Sequence, residues 1–244
     1  MIYENIKRGM EKGVKQIALL IDPDKTDLHS ILTLSGLIND YPPDLLLVGG
    51  SLISENVDKV IETLKERVDI PVFLFPGSSM QVNKKADGIL FLSLISGRNP
   101  EFLISHQVSA APLIRASRME VISTGYILIE GGTVSSVEYM SNTRPVPADK
   151  SDLALATALA GEMMGMKAIY LEAGSGAVNP VPGEMIKKVK ENINIPLIVG
   201  GGLNTERKVK EALDAGADMI VVGNAFEKNP QKLKDYLHIV RNSR

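Results

Sequence analysis

PLIVGGGLNTERKVKEALDAGADMIVVGN, residues 196–224, contains a complete strand–helix–strand unit. Its two ends, PLIVGGG at 196–202 and MIVVGN at 219–224, are short runs of Val, Ile and Leu closing on Gly or Asn. Such runs suit strands buried on both faces of a parallel sheet. Between them TERKVKEALDAGA alternates charged and apolar residues at helical period. Working outward, six further runs have the same character: QIALLID at 16–22, DLLLVGG at 44–50, PVFLFPG at 71–77, GILFLS at 88–93, GYILIEG at 125–131 and AIYLEAG at 168–174. Most of the gaps hold a helix-period stretch, for instance SENVDKVIETLKERV after the second run.

Eight strands alternating with helices in a chain of 244 residues fit an α/β fold, a single (β/α)8 TIM-type barrel spanning residues 1–244; a doubly wound sheet more usually has fewer strands. The repeat is modified after the third strand. There PGSSMQVNKKAD opens with Pro76 and Gly77, both poor inside a helix, so the helix is expected to be missing or replaced. Between the fifth and sixth strands EGGTVSSVEYMSNTRPVPADK, residues 130–150, is long, polar and rich in Gly and Ser, and precedes the helical run SDLALATALAGEMMG. Long loops on a barrel's strand-exit face often cover substrates, although an ordered loop without a catalytic role reads the same way.

Composition narrows the chemistry. The chain is 44% apolar and 23% charged with no cysteine or tryptophan, which excludes disordered and collagenous classes, a disulfide framework and thiol catalysis. Its 27 basic and 29 acidic residues nearly cancel without a dense Lys/Arg run, so no nucleic-acid partner is expected. The opening MIYENIKRGMEKG lacks a signal peptide's apolar core, and cytoplasmic localisation is the default expectation.

In such barrels the residues closing each strand are the site candidates. Gly200, Gly201 and Gly202, with Gly223 and Asn224 on the next strand, suit a phosphate held by backbone amides beside helix N-termini; tight turns are the alternative use of these glycines. The sixth strand ends Tyr170, Leu171, Glu172, Ala173, Gly174, Ser175, Gly176. Alternation points Tyr170 and Glu172 to one face near the mouth, where Glu172 can act as a general base or as partner to a Lys or Arg. The first strand ends Asp22, Pro23, Asp24, Lys25, and the second ends Gly49, Gly50, Ser51. Asp22 and Ser51 could hold one Mg²⁺ when phosphates share the site, because Mg²⁺ usually combines one or two carboxylates with phosphate oxygens. His29, His106 and His238 show no ligand spacing and read as solvated or capping residues. Met163, Met164 and Met166 read as core, although thioethers also suit a hydrocarbon groove.

These strand ends resemble one family, the geranylgeranylglyceryl phosphate synthases of the second sequence group and their heptaprenyl-transferring relatives. The resemblance rests on LLIDPDK at 19–25, LVGGS at 47–51, FPGS at 75–78, YLEAGSG at 170–176, VGGGLNT at 199–205 and VVGNAFE at 221–227. It implies a Mg²⁺-dependent prenyltransferase that moves a geranylgeranyl or similar polyprenyl chain from its diphosphate to the C3 hydroxyl of sn-glycerol 1-phosphate, forming an ether lipid precursor. It also implies a homo-oligomer and transient contact with a membrane surface. By position, Tyr170, Leu171, Glu172, Ala173, Gly174, Ser175, Gly176, Gly201, Gly202, Gly223 and Asn224 match the acceptor site, and Asp22 and Ser51 the Mg²⁺ site. Glu172, Tyr170 and Lys25 are the candidate catalytic residues. Where some members of the family carry a lysine this chain has Leu20, and Lys25 is the substitute cation. The rivals are a sugar-phosphate isomerase using Asp22 and Glu130 without metal, and a non-catalytic barrel that binds a phosphorylated metabolite.

Overall fold

The computed structural model describes residues 1–51, 53, 57–78, 81–223 and 231–243. Eight parallel strands close on themselves in sequence order: β1 (Gln16–Ile21), β2 (Leu45–Gly50), β3 (Val72–Pro76), β4 (Gly88–Leu94), β5 (Glu120–Leu128), β6 (Ala168–Glu172), β7 (Leu197–Gly200) and β8 (Met219–Val222), with β8 paired back to β1. The α-helices among the described residues are α1 (Ile2–Glu11), α2 (Leu28–Asp40), α3 (Val57–Arg67), α4 (His106–Ser117), α5 (Ser136–Ser141), α6 (Ser151–Met163), α7 (Gly183–Lys190), α8 (Glu206–Asp214) and α9 (Lys232–Asn242).

Side-chain alternation splits the core into two shells. Ile17, Leu19 and Ile21 of β1 and Leu46 and Val48 of β2 face outward to the helices, while Ala18, Leu45 and Leu47 fill the barrel together with Phe73, Leu90, Ile198 and Val221. The floor of the barrel is closed by α1, whose Ile6 joins the inner shell. The amides of Ile2 and Tyr3 donate to the Glu120 carboxylate at 2.7 and 2.9 Å. That anchor uses two of the helix's otherwise unpaired N-terminal amides.

A repeated device fastens the strand starts. Asp44, Asp87 and Asp218 each stand one residue before a strand, and each accepts an amide from the neighbouring strand: Ile17 at 2.9 Å, Val72 at 2.9 Å and Leu197 at 2.8 Å. Each is also paired with a cation, Arg241, Lys65 and Lys190 respectively.

As expected, the repeat breaks after β3: among the described residues of 77–87 there is no α-helix. Two boundaries differ from the sequence reading. The fifth strand begins at Glu120, five residues before the apolar run suggests, because its polar start is held by β4 and α1. Residues 130–150 are not continuous loop, since Ser135 caps the short helix α5 and Ile129 bridges to Val146. In addition α4 is preceded by a π-helical turn over Glu101–Ser105, a distortion frequent at functional sites.

Candidate active site

Two cavities of opposite character open at the strand-exit face. The polar one is lined by the ends of β1, β2, β6, β7 and β8, including Leu20, Asp22, Lys25, Ser51, Tyr170, Glu172, Gly174, Ser175, Gly176, Gly201, Gly202 and Gly223. The other, about 790 Å³ including its open mouth, occupies the place of the helix absent after β3; Val82, Ile89, Phe91, Phe102, Ala110, Ile114 and Met140 make its walls apolar. Gly50, Ser51, Phe75, Tyr126 and Val137 line both. The two cavities therefore meet, with α5 above the junction.

Glu172 is the most constrained group on the polar side. It is 7% exposed, and its Oε1 accepts the Gly174 amide at 2.7 Å. Burial raises its carboxyl to about 7, against the opposing pull of the Gly174 amide and the adjacent Tyr170 hydroxyl. Tyr170 is fully buried, and its hydroxyl lies beside the carboxylate without completing a well-aligned hydrogen bond. Burial and the facing Glu172 push both Tyr170 and Tyr126 well above the ordinary phenol range.

The glycines leave room for this arrangement. A Cβ at Gly200 would collide with the Tyr170 hydroxyl and stand 2.8 Å from Glu172 Oε2. At Gly201, φ is +81° and a Cβ would lie 2.5 Å from Glu172 Oε1, so backbone conformation and space both require glycine. Among the described residues no acceptor takes the amides of Gly201 and Gly202. Two such donors beside the N-terminus of α8 make a cradle for an anion.

On the opposite side, Asp22 Oδ1 accepts the Asp24 amide at 3.1 Å and Oδ2 meets Lys25 Nζ at 2.8 Å. Asp22 also lies against Gly50, next to Ser51. Among the described residues no three His, Cys, Asp or Glu side chains cluster as a self-sufficient metal site. One carboxylate and one hydroxyl do fit a Mg²⁺ whose other ligands are water and phosphate oxygens.

The structure thus brings together Asp22, Lys25, Ser51, Tyr170, Glu172, Gly174, Ser175, Gly176, Gly201, Gly202 and Gly223. It does not place Leu171 and Ala173 in the cavity. Their side chains belong to the outer shell, as alternation along β6 requires, and the Ala173 amide is engaged by Gly200 O. Asn224, with most of the VVGNAFE stretch, lies outside the described residues. Glu130 is exposed and away from both cavities, so the acid/base pair of the isomerase reading is not assembled.

Two more expectations change. Met163 and Met164 are 82% and 74% exposed rather than core, whereas Met166 packs against Gly125 and Gly161. His106 is not simply solvated: it lines the apolar groove with its ring 4.9 Å from that of Phe102. Tyr126 and Phe75 go unnamed in the sequence reading. The available signal is register, since Tyr126 pairs with Tyr170 across β5 and β6 and therefore faces the same interior.

Fold and site together define a (β/α)8-barrel protein with an anion cradle and a buried carboxylate beside an apolar groove. The chain belongs to the PcrB family, whose model matches residues 11–241. It is 49% identical to the geranylgeranylglyceryl phosphate synthase of Spirosoma linguale over 94% of this chain and 92% of that protein, and 47% identical to that of Chitinophaga pinensis over 96% and 93%. A crystal structure of (S)-3-O-geranylgeranylglyceryl phosphate synthase from Thermoplasma acidophilum in complex with sn-glycerol-1-phosphate superposes with a TM-score of 0.90 at 33% identity, covering 98% of this chain and 96% of that one.

Proposed function

We propose that the chain transfers a geranylgeranyl or similar polyprenyl group from its diphosphate to the C3 hydroxyl of sn-glycerol 1-phosphate, forming an ether lipid precursor. The observation that carries this reading is the meeting of a polar, anion-accepting cavity with an apolar groove at Gly50, Ser51, Phe75, Tyr126 and Val137. A substrate with a charged head and a long hydrocarbon tail needs both. The names of the relatives support the same chemistry.

In this reading the acceptor phosphate rests on the amides of Gly201 and Gly202, which holds the glycerol hydroxyl near Glu172. Glu172 takes the hydroxyl proton as the C–O bond forms. Lys25 turns from Asp22 toward the departing diphosphate and offsets its charge. Asp22 and Ser51 would hold a Mg²⁺, and the ion would supply further charge neutralisation. The groove walls exclude water, which would otherwise capture the prenyl group.

A homo-oligomer forms part of the proposal, supported by Leu153 and Met163 exposed on α6 and Met164 exposed just after it. Contact with a membrane surface would be peripheral, since among the described residues no helix is long and apolar enough to cross a membrane.

The test is to incubate purified protein and Mg²⁺ with each glycerol phosphate enantiomer and a series of prenyl diphosphates, following lipid product by mass. An ether formed only from the sn-1 enantiomer, and lost on adding EDTA, is the expected result. No product from any donor would overturn the reading.

A further inference from the structure

The junction of the two cavities is unusually aromatic. Phe75 and Tyr126, which line both, have ring centroids 6.3 Å apart. Tyr170 stands behind them, 5.5 Å from Phe75 and stacked on Tyr126 at 5.3 Å and 25°. The inner shell of the barrel is otherwise built mainly of Leu, Ile, Val and Ala, so three touching rings at this one level are not demanded by packing.

We propose that Phe75 and Tyr126, backed by Tyr170, form an electron-rich wall that stabilises the positive charge developing on the allylic carbon of the donor. The inference rests on the transfer reading above and adds residues to it. With the head group in the polar cavity and the tail in the groove, the carbon joining them lies at the junction. As the C1–O bond to the diphosphate breaks, the electron pair leaves with the diphosphate and C1 becomes electron-poor. The glycerol oxygen then supplies the pair for the new C1–O bond, and its proton passes to Glu172. At the moment between, C1 needs electron density on its remaining sides. The groove offers no carboxylate among its described residues. A carboxylate there would itself attack C1, whereas a ring face attracts a cation within about 6 Å without forming a bond. Phe75, half-buried at the end of β3, presents the more accessible ring; Tyr126 and Tyr170 fix its position.

The experiment replaces Phe75 with phenylalanines carrying one, two and three ring fluorines, which drain the ring face while keeping its shape. It adds Phe75→Leu, which keeps an apolar side chain without a π-face. Single-turnover rates and donor KM are measured in the Mg²⁺-loaded protein. The expected result is a rate falling stepwise with fluorine number, and a loss of roughly ten-fold or more in Phe75→Leu, with donor KM changed less than about two-fold. Tyr126→Leu, which removes the second ring, lowers the rate in the same way. A rate independent of fluorination, or a parallel rise of KM that accounts for the loss, would overturn the aromatic role while leaving the transfer reading intact. Absence of product from the unsubstituted protein would overturn both. Should Phe75→Leu fail to fold, the fluorinated series decides alone.

Discussion

In the proposed reaction Glu172 must be hidden from water and still exchange a proton, and its surroundings suit both demands. Burial lifts its carboxyl from 4.5 to about 7, which brings the base close to working pH, where proton transfer is most effective. Glu172→Gln preserves shape and an acceptor for the Gly174 amide but cannot take a proton. It is expected to lower kcat by about 10²- to 10⁴-fold while leaving acceptor affinity, measured by calorimetry, nearly unchanged. Because the carboxylate is the active form, the wild-type rate should rise with pH through about 7, and the residual rate of the variant should lack that limb. The linked stability runs the other way. A carboxyl raised in the folded state contributes fully below its unfolded value, and the contribution is lost as pH rises through about 7, so thermal unfolding should lose part of its pH dependence in the variant. That Glu172 and Tyr170 face the cavity was legible in the sequence, because two-residue alternation before a Gly–Ser–Gly turn needs no tertiary information. The placement of Tyr126 was not, since it depends on the register between β5 and β6.

At the scale of elements, apolar runs identified all eight strands, but not where the fifth began. Glu120 to Ser123 has only two apolar residues, Val121 and Ile122, between polar ends, and what makes it strand is pairing with β4 and the anchoring of α1, both long-range events. The absent helix after β3 was legible for the opposite reason: Pro and Gly act locally. The aspartates before β2, β4 and β8 stand on the opposite face from the site and belong to stability. Asp218, 4% exposed, holds the Leu197 amide and Lys190 at 2.8 and 2.6 Å. Asp218→Ala leaves a buried amide without an acceptor and strands a half-buried cation. We expect a loss of about 2–4 kcal/mol in urea unfolding with little change in acceptor KM.

Over the whole molecule, closure of the barrel followed from counting strands, whereas its plugging by α1 did not. A short N-terminal stretch of alternating charged and apolar residues carries no local sign of what it will cover. Removing residues 1–12 would uncover the inner shell around Ile6 and leave the Glu120 carboxylate without its two amides. The truncated protein should melt at lower temperature and bind a hydrophobic dye before it melts. Retention of the full-length melting temperature would show the plug to be dispensable.

The gap in the outer ring has a consequence for the cell as well as for catalysis. Among the described residues the sector after β3 lacks an α-helix, and in the reading proposed above it is sheathed by the donor's own tail. In that reading the empty protein carries an apolar seam that the bound donor covers. A ligand that completes the fold in that reading stabilises it with the logarithm of its free concentration above Kd, so supply of the prenyl donor would set both turnover and survival.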